Sequence, residues 1–317
     1  MKSIWLRRLC VVAVASVAAV VAGCGAGTVF SAFAPSRVIV FGDAFSDVGH
    51  GGSKYTVNDA STNTWVEQIA GNYGKSVVAA SAGGLGYARG NARIVLKPDA
   101  VGLATTLTVK EQIDAFLATG NFTSADAVFI NGGISDMVVQ GVALTAGTIS
   151  AADLTTNAAQ AGKDLATQVR RMVSAGATHV IVAGVYDMSK SPWGANSGQA
   201  AALSAASLQF NTALLTSIVD LGGSVLYVDA AYYLNLMANQ PASYSLTNSA
   251  SAVCTSVDAG AGIGVGAGDI NSAQCTTATI TAGAIYNSYM FADKLYLTPV
   301  ANRLWGDYAT GRMRTRW

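Results

Sequence analysis

The feature that most constrains this chain is a series of short, apolar, often β-branched runs separated by longer amphipathic stretches. "RVIVFGD" (37–43) is continuously apolar up to its glycine, as a strand buried on both faces requires. "SVVAAS" (76–81), "DAVFING" (126–132), "THVIVAGV" (178–185) and "SVLYVD" (224–229) read as four more strands. The intervening segments carry helical periodicity. In "TWVEQIAGNYG" (64–74) Trp65, Ile69 and Tyr73 share one face and Gly74 supplies a stop. Further helices are expected over 108–120, from a Ser150 or Asp153 cap through a long Ala-rich stretch, over 198–223, and over 298–310 with Pro299 in the first turn. Strand, crossover helix and strand in alternation predict an α/β fold: a parallel five-stranded sheet with helices on both faces. Function in such sheets sits in the loops at the carboxyl ends of the strands. No repeat or linker splits the chain, and 317 residues suffice for one large core.

The first residues read as a targeting segment. Lys2, Arg7 and Arg8 precede an apolar run from Leu9 to Ala22, too short to favour a spanning helix. "VAGC" (21–24) resembles the lipobox of bacterial lipoproteins, which implies a signal peptide over 1–23, a lipidated Cys24, a tether over 24–36 and one domain over 37–317. Gly25 after the cysteine favours the outer membrane under the sorting rule of such lipoproteins; the alternative is an ordinary secretory signal cleaved near Ala26, giving a secreted or periplasmic protein. Without Lys2, Arg7 and Arg8, 16 basic residues face 18 acidic ones, so the charge gives no reason to expect nucleic acid. With Cys10 in the leader and Cys24 lipidated, Cys254 and Cys275 remain, and an exported chain is expected to pair them. The loop between them, "TSVDAGAGIGVGAGDINSAQ", reads as Gly-rich and floppy, and its Gly260–Gly268 stretch does not lie between a strand and a helix as a nucleotide-binding turn requires.

The strand-end loops carry the chemistry. Gly42, Asp43, Ser46, Asp47 and Gly49 follow the first strand; "YARGNAR" (87–93) holds Gly90; "NGGISDM" (131–137) holds Gly133 and Asp136; "FADKLYLTP" (291–299) holds Asp293, Thr298 and Pro299. In this order the blocks resemble those of the SGNH or GDSL hydrolases, lipolytic and acyl-ester enzymes on a flavodoxin-like three-layer α/β/α sandwich. The resemblance covers nearly the whole chain after the leader. It implies a nucleophilic Ser in the first block, an oxyanion hole completed by a Gly and an Asn, and an Asp-x-x-His pair in the last.

Here the Ser position holds Ala44, the Asn position Ser135 and the His position Tyr296, while Gly90 and Asp293 are kept. Ala44 has no atom that attacks a carbonyl, and a tyrosine with an ordinary pKa near ~10 is no neutral-pH base. Loss of nucleophile or base alone costs on the order of 10⁶ in turnover in a comparable triad. These changes predict a fold that binds an acyl-ester, lipid or glycan ligand, or a partner, without cleaving it. A structural envelope component is a third reading. The alternative is a hydrolase with a relocated nucleophile: if 44–50 is helical, Ser46 and His50 stand at i, i+4. His179, the other histidine, begins a strand at the far end from the site. Asp43, Asp47, Asp136 and Asp293 are expected to act as scaffold, Trp193, Tyr232 and Tyr233 are candidate groove aromatics, and no cofactor or zinc-ligand spacing is present.

Overall fold

The computed structural model describes residues 33–61 and 64–317. The leader, Cys24 and the tether before Phe33 lie outside the described residues. Strands β1 (Arg37–Phe41), β2 (Asp126–Asn131), β3 (Val180–Ala183) and β4 (Val225–Val228) form one parallel sheet in the order β1-β2-β3-β4. In-register pairs such as Ile39 with Val128, Phe129 with Ile181 and Ile181 with Leu226 carry the apolar runs across the sheet.

Helices α1 (Trp65–Asn72), α2 (Val109–Leu117), α3 (Ile134–Thr145), α4 (Ala151–Ser174), α5 (Pro192–Asn196), α6 (Ala200–Ile218), α7 (Ala230–Asn239) and α8 (Pro299–Arg316) complete the wrap. α4 packs on α2, α3 and α6, whereas α8 packs on α1, α7 and β4, so two helix layers sandwich the sheet. The caps follow from composition. Ser150 caps α4 while Asp153 returns the bond to the Ser150 amide, and Thr298 caps α8 with Pro299 at its first position.

Two expectations are corrected. Among the described residues the sheet has four strands, not five: "SVVAAS" folds back on itself, with the Gly86 amide donating to the Val78 carbonyl and the Ala80 amide to the Gly86 carbonyl. The outer edge of β1 is met instead by residues 85–87, through Val40 N to Leu85 O at 3.0 Å and Tyr87 N to Val40 O at 2.7 Å. The loop closed by the Cys254–Cys275 disulfide is also tied down rather than floppy. Asp258 accepts from the Gly260 amide at 2.8 Å, Asn271 Nδ2 at 2.8 Å and Gln274 Nε2 at 2.9 Å, and Ile263 is buried in the main core. A short parallel pair, β5 (Asn248–Ala252) with β6 (Tyr289–Phe291), delivers the last block to the site.

Candidate active site

Past β1 the chain makes a tight turn, not a helix, and each polar side chain in it has a structural partner. Asp43 Oδ1 accepts from the Phe45 amide at 3.0 Å and from Asn131 Nδ2 at 2.6 Å, which ties the end of β1 to the end of β2. Ala44 is 2% exposed. Ser46 is fully buried and its Oγ accepts from Trp65 Nε1 at 2.9 Å. Asp47 Oδ1 accepts from the amides of Gly49 (2.9 Å) and His50 (2.7 Å), and its Oδ2 accepts from the Gly90 amide at 2.8 Å.

That last bond changes what Gly90 does. An oxyanion-hole amide must aim at the reacting oxygen, and here the Gly90 N–H is engaged by a carboxylate. Tyr55 also lies over it: a Cβ at residue 90 would stand 2.1 Å from the Tyr55 hydroxyl. A side chain at 90 would therefore displace the Tyr55 ring. At the end of β2, Gly133 with φ 112° opens α3, and a side chain there would strike the Phe210 ring. Ser135 follows in the first turn of α3, buried, its Oγ without a hydrogen-bond partner among the described residues. Asp136 binds Arg93 Nε and the Ile94 amide, both at 3.0 Å.

In the last block, Asp293 Oδ1 accepts from the amides of Leu295 (2.8 Å) and Tyr296 (2.7 Å), and Oδ2 accepts from that of Ser272 (3.1 Å). Burial pushes Asp293 and Asp43 each up to about 6 against these bonds. Tyr296 is 1% exposed, with its ring edge-on to Tyr55 at 5.2 Å. Burial, then the charges of Asp43 and Asp293, push its hydroxyl well above the ordinary value, the wrong direction for a base. Ala44, Ser135, Asp293 and Tyr296 are all buried, and Tyr296 lies within electrostatic reach of Asp43 and Asp293.

The alternative pair is not brought together. The Ser46 hydroxyl is held by the indole, while His50 Nδ1 is buried without a partner among the described residues. His179 stacks on Phe33 at 3.9 Å and meets Trp317 edge-on at 4.9 Å, at the amino-end face of the sheet. Trp193 packs over Gly141, and Tyr233 stacks on Tyr308 at 4.3 Å, so these aromatics serve packing. Among the described residues no cluster of three His, Cys, Asp or Glu forms.

If Ser46 is a packing partner, its replacement is read in stability. Ser46→Ala leaves the buried Trp65 N–H unpaired, which costs about 1–3 kcal/mol. Urea unfolding should show that loss, and an unchanged midpoint would count against the indole bond.

The open volume lies to one side. A cavity of about 400 Å³ is lined by Asp47, His50, Tyr55, Arg89, Asn91 and Asp99 among others, and by neither Ala44 nor Tyr296. Sequence reasoning missed Tyr55, Arg89 and Asn91. Arg89 and Asn91 flank Gly90 in "ARGN", which was the only signal for them; Tyr55 had none.

Four loop blocks set in order around a parallel sheet, with their carboxylates tying one loop to the next, define an α/β sandwich of the ester-hydrolase type. The chain belongs to the GDSL-like Lipase/Acylhydrolase family, whose model matches residues 38–309. Two crystal structures are similar over 89% of this chain and 98% of theirs, at 14% and 13% identity and TM-scores of 0.46 and 0.48. No curated protein matches the chain.

Proposed function

We propose that this family member does not hydrolyse esters and acts as an exported binding protein, anchored to the outer membrane through a lipidated Cys24. The observation that carries the loss of catalysis is the Gly90–Asp47 bond beneath Tyr55. With Ala44 it leaves the site without the family's nucleophile and with the Gly90 oxyanion donor engaged. The basic and apolar leader and the Cys254–Cys275 bridge support export. Cys24 lies nine residues before Phe33, which docks on His179 at the amino-end face.

The test is covalent. A serine-directed fluorophosphonate is expected to leave the folded wild-type protein unlabelled. Labelling that disappears in Ser46→Ala would overturn the reading in favour of a relocated nucleophile.

A further inference from the structure

At the amino-end face of the sheet, away from the family blocks, the fold gathers basic side chains that it does not pair. Arg312, Arg314 and Arg316 lie at the end of α8 and are all exposed. Lys75, exposed just past α1, joins them. Arg314 links the two elements: its Nη2 donates to the Asn72 carbonyl at 3.1 Å, and its guanidinium lies 5.7 Å from the centre of the Tyr73 ring. A Cβ at Gly222, ahead of β4, would stand 3.9 Å from Arg316 Nη2. None of the four bases makes an ion pair among the described residues.

The neighbouring charges do not supply partners. Arg37 holds Asp126 and Arg170 holds Asp220, while Asp307 accepts from the Gln68 and Asn72 side chains, both at 2.8 Å. Arginine in the last turn of a helix favours the negative end of its dipole, which accounts for α8 but not for Lys75 on a separate element. The excess is also local: beyond the leader, the other 12 basic residues face 18 acidic ones. Aromatic rings complete the face. Phe33 lies 3.9 Å from His179, 5.8 Å from Trp317 and 6.4 Å from Tyr73, all four half-buried. Trp and Tyr gather where an apolar phase meets water, because each ring carries one polar tip.

We propose that this face docks on an anionic lipid surface, with Lys75, Arg312, Arg314 and Arg316 pairing with headgroup phosphates and with Tyr73 and Trp317 at the boundary. Clusters of about four or more such bases bind anionic lipid. Phe33, the first described residue, lies on this same face, so the segment that carries Cys24 joins the sandwich there. The choice of lipid over nucleic acid rests on the export proposed above. The contact itself does not need Cys24, and its test leaves that cysteine out.

The chain from Ala26 onward, which keeps every element and core residue of the sandwich, is sedimented with vesicles of phosphatidylcholine alone or with about one-third phosphatidylglycerol, at ~50 mM and ~500 mM NaCl. Binding is expected on the anionic vesicles at the lower salt only. Arg312→Glu/Arg316→Glu should weaken it ~20-fold or more. Lys163→Glu/Lys190→Glu, the same charge change at exposed positions off this face, should leave it within ~3-fold. Equal binding to neutral vesicles, binding that the higher salt does not release, or an equal loss in both double variants overturns the proposal. So does tighter binding to a DNA duplex than to the anionic vesicles, or no binding by the folded chain. Incorporation of labelled palmitate by the full chain tests Cys24 separately, so the anchor and the docking face fail independently.

Discussion

Restoring the three family residues, as Ala44→Ser/Ser135→Asn/Tyr296→His, is expected to yield no esterase turnover above the wild-type background on p-nitrophenyl acetate. The triple variant regains the side chains of the triad and oxyanion hole but not their setting. Position 44 is 2% exposed, so a serine placed there meets protein rather than substrate. The Gly90 amide stays bound to Asp47 at 2.8 Å, and one missing oxyanion donor is worth about 10²–10³ in rate. A histidine at the fully buried position 296 is itself pushed toward the neutral form, yet the carboxylate that would orient it already accepts from three backbone amides. Activity of the triple variant alone, in a folded protein, would mean that Asp47 releases the Gly90 amide readily and that the cleft is preserved after all.

The architecture was legible where a segment's pattern and its punctuation agreed. "RVIVFGD" ends at the glycine where β1 ends, Ser150 and Thr298 cap the helices their positions announced, and the Cys254–Cys275 pair follows from the cysteine count. "SVVAAS" misled because a short apolar run has no period of its own. Gly83, Gly84 and Gly86 just beyond it let the chain double back, and the edge of β1 went to residues 85–87. The Gly-rich loop misled for the opposite reason. Its composition predicts freedom, but one aspartate, Asp258, gathers three donors, and Ile263 anchors it in the core.

The site was legible as a set of positions and not as a state. Ala44, Ser135 and Tyr296 are substitutions visible in the letters alone. That Tyr55 packs against Gly90 is not, because Tyr55 lies in a segment without motif or period, and only the folded chain brings it 35 residues forward to the second block. The same holds for the Ser46 hydroxyl: its indole partner lies in the next helix, and nothing in "GDAFSD" announces it.

The buried carboxylates of the strand-end loops should also shape the pH dependence of stability, most clearly at Asp43. Burial raises Asp43 and Asp293 from 3.8 to about 6, and it raises Asp47 and Asp136 as well. A carboxyl whose folded pKa lies above its unfolded value binds protons more tightly when folded. Its contribution is therefore fully present below the unfolded value and is lost as the pH rises through about 6. A displacement of about two pH units is worth roughly 3 kcal/mol per group. Carboxylates held low by partners, such as the buried Asp126 beside Arg37, act oppositely but below the window in question. Stability should thus peak in mildly acidic solution and fall between about pH 4 and pH 7. Asp43→Asn removes the titrating carboxyl and keeps an Oδ1 for the Phe45 amide. The variant is expected to gain on the order of 2 kcal/mol over wild type at pH 7.5 and nothing near pH 4.5. Urea midpoints across that range decide it: a constant offset between the two proteins would mean that Asp43 does not titrate in this window.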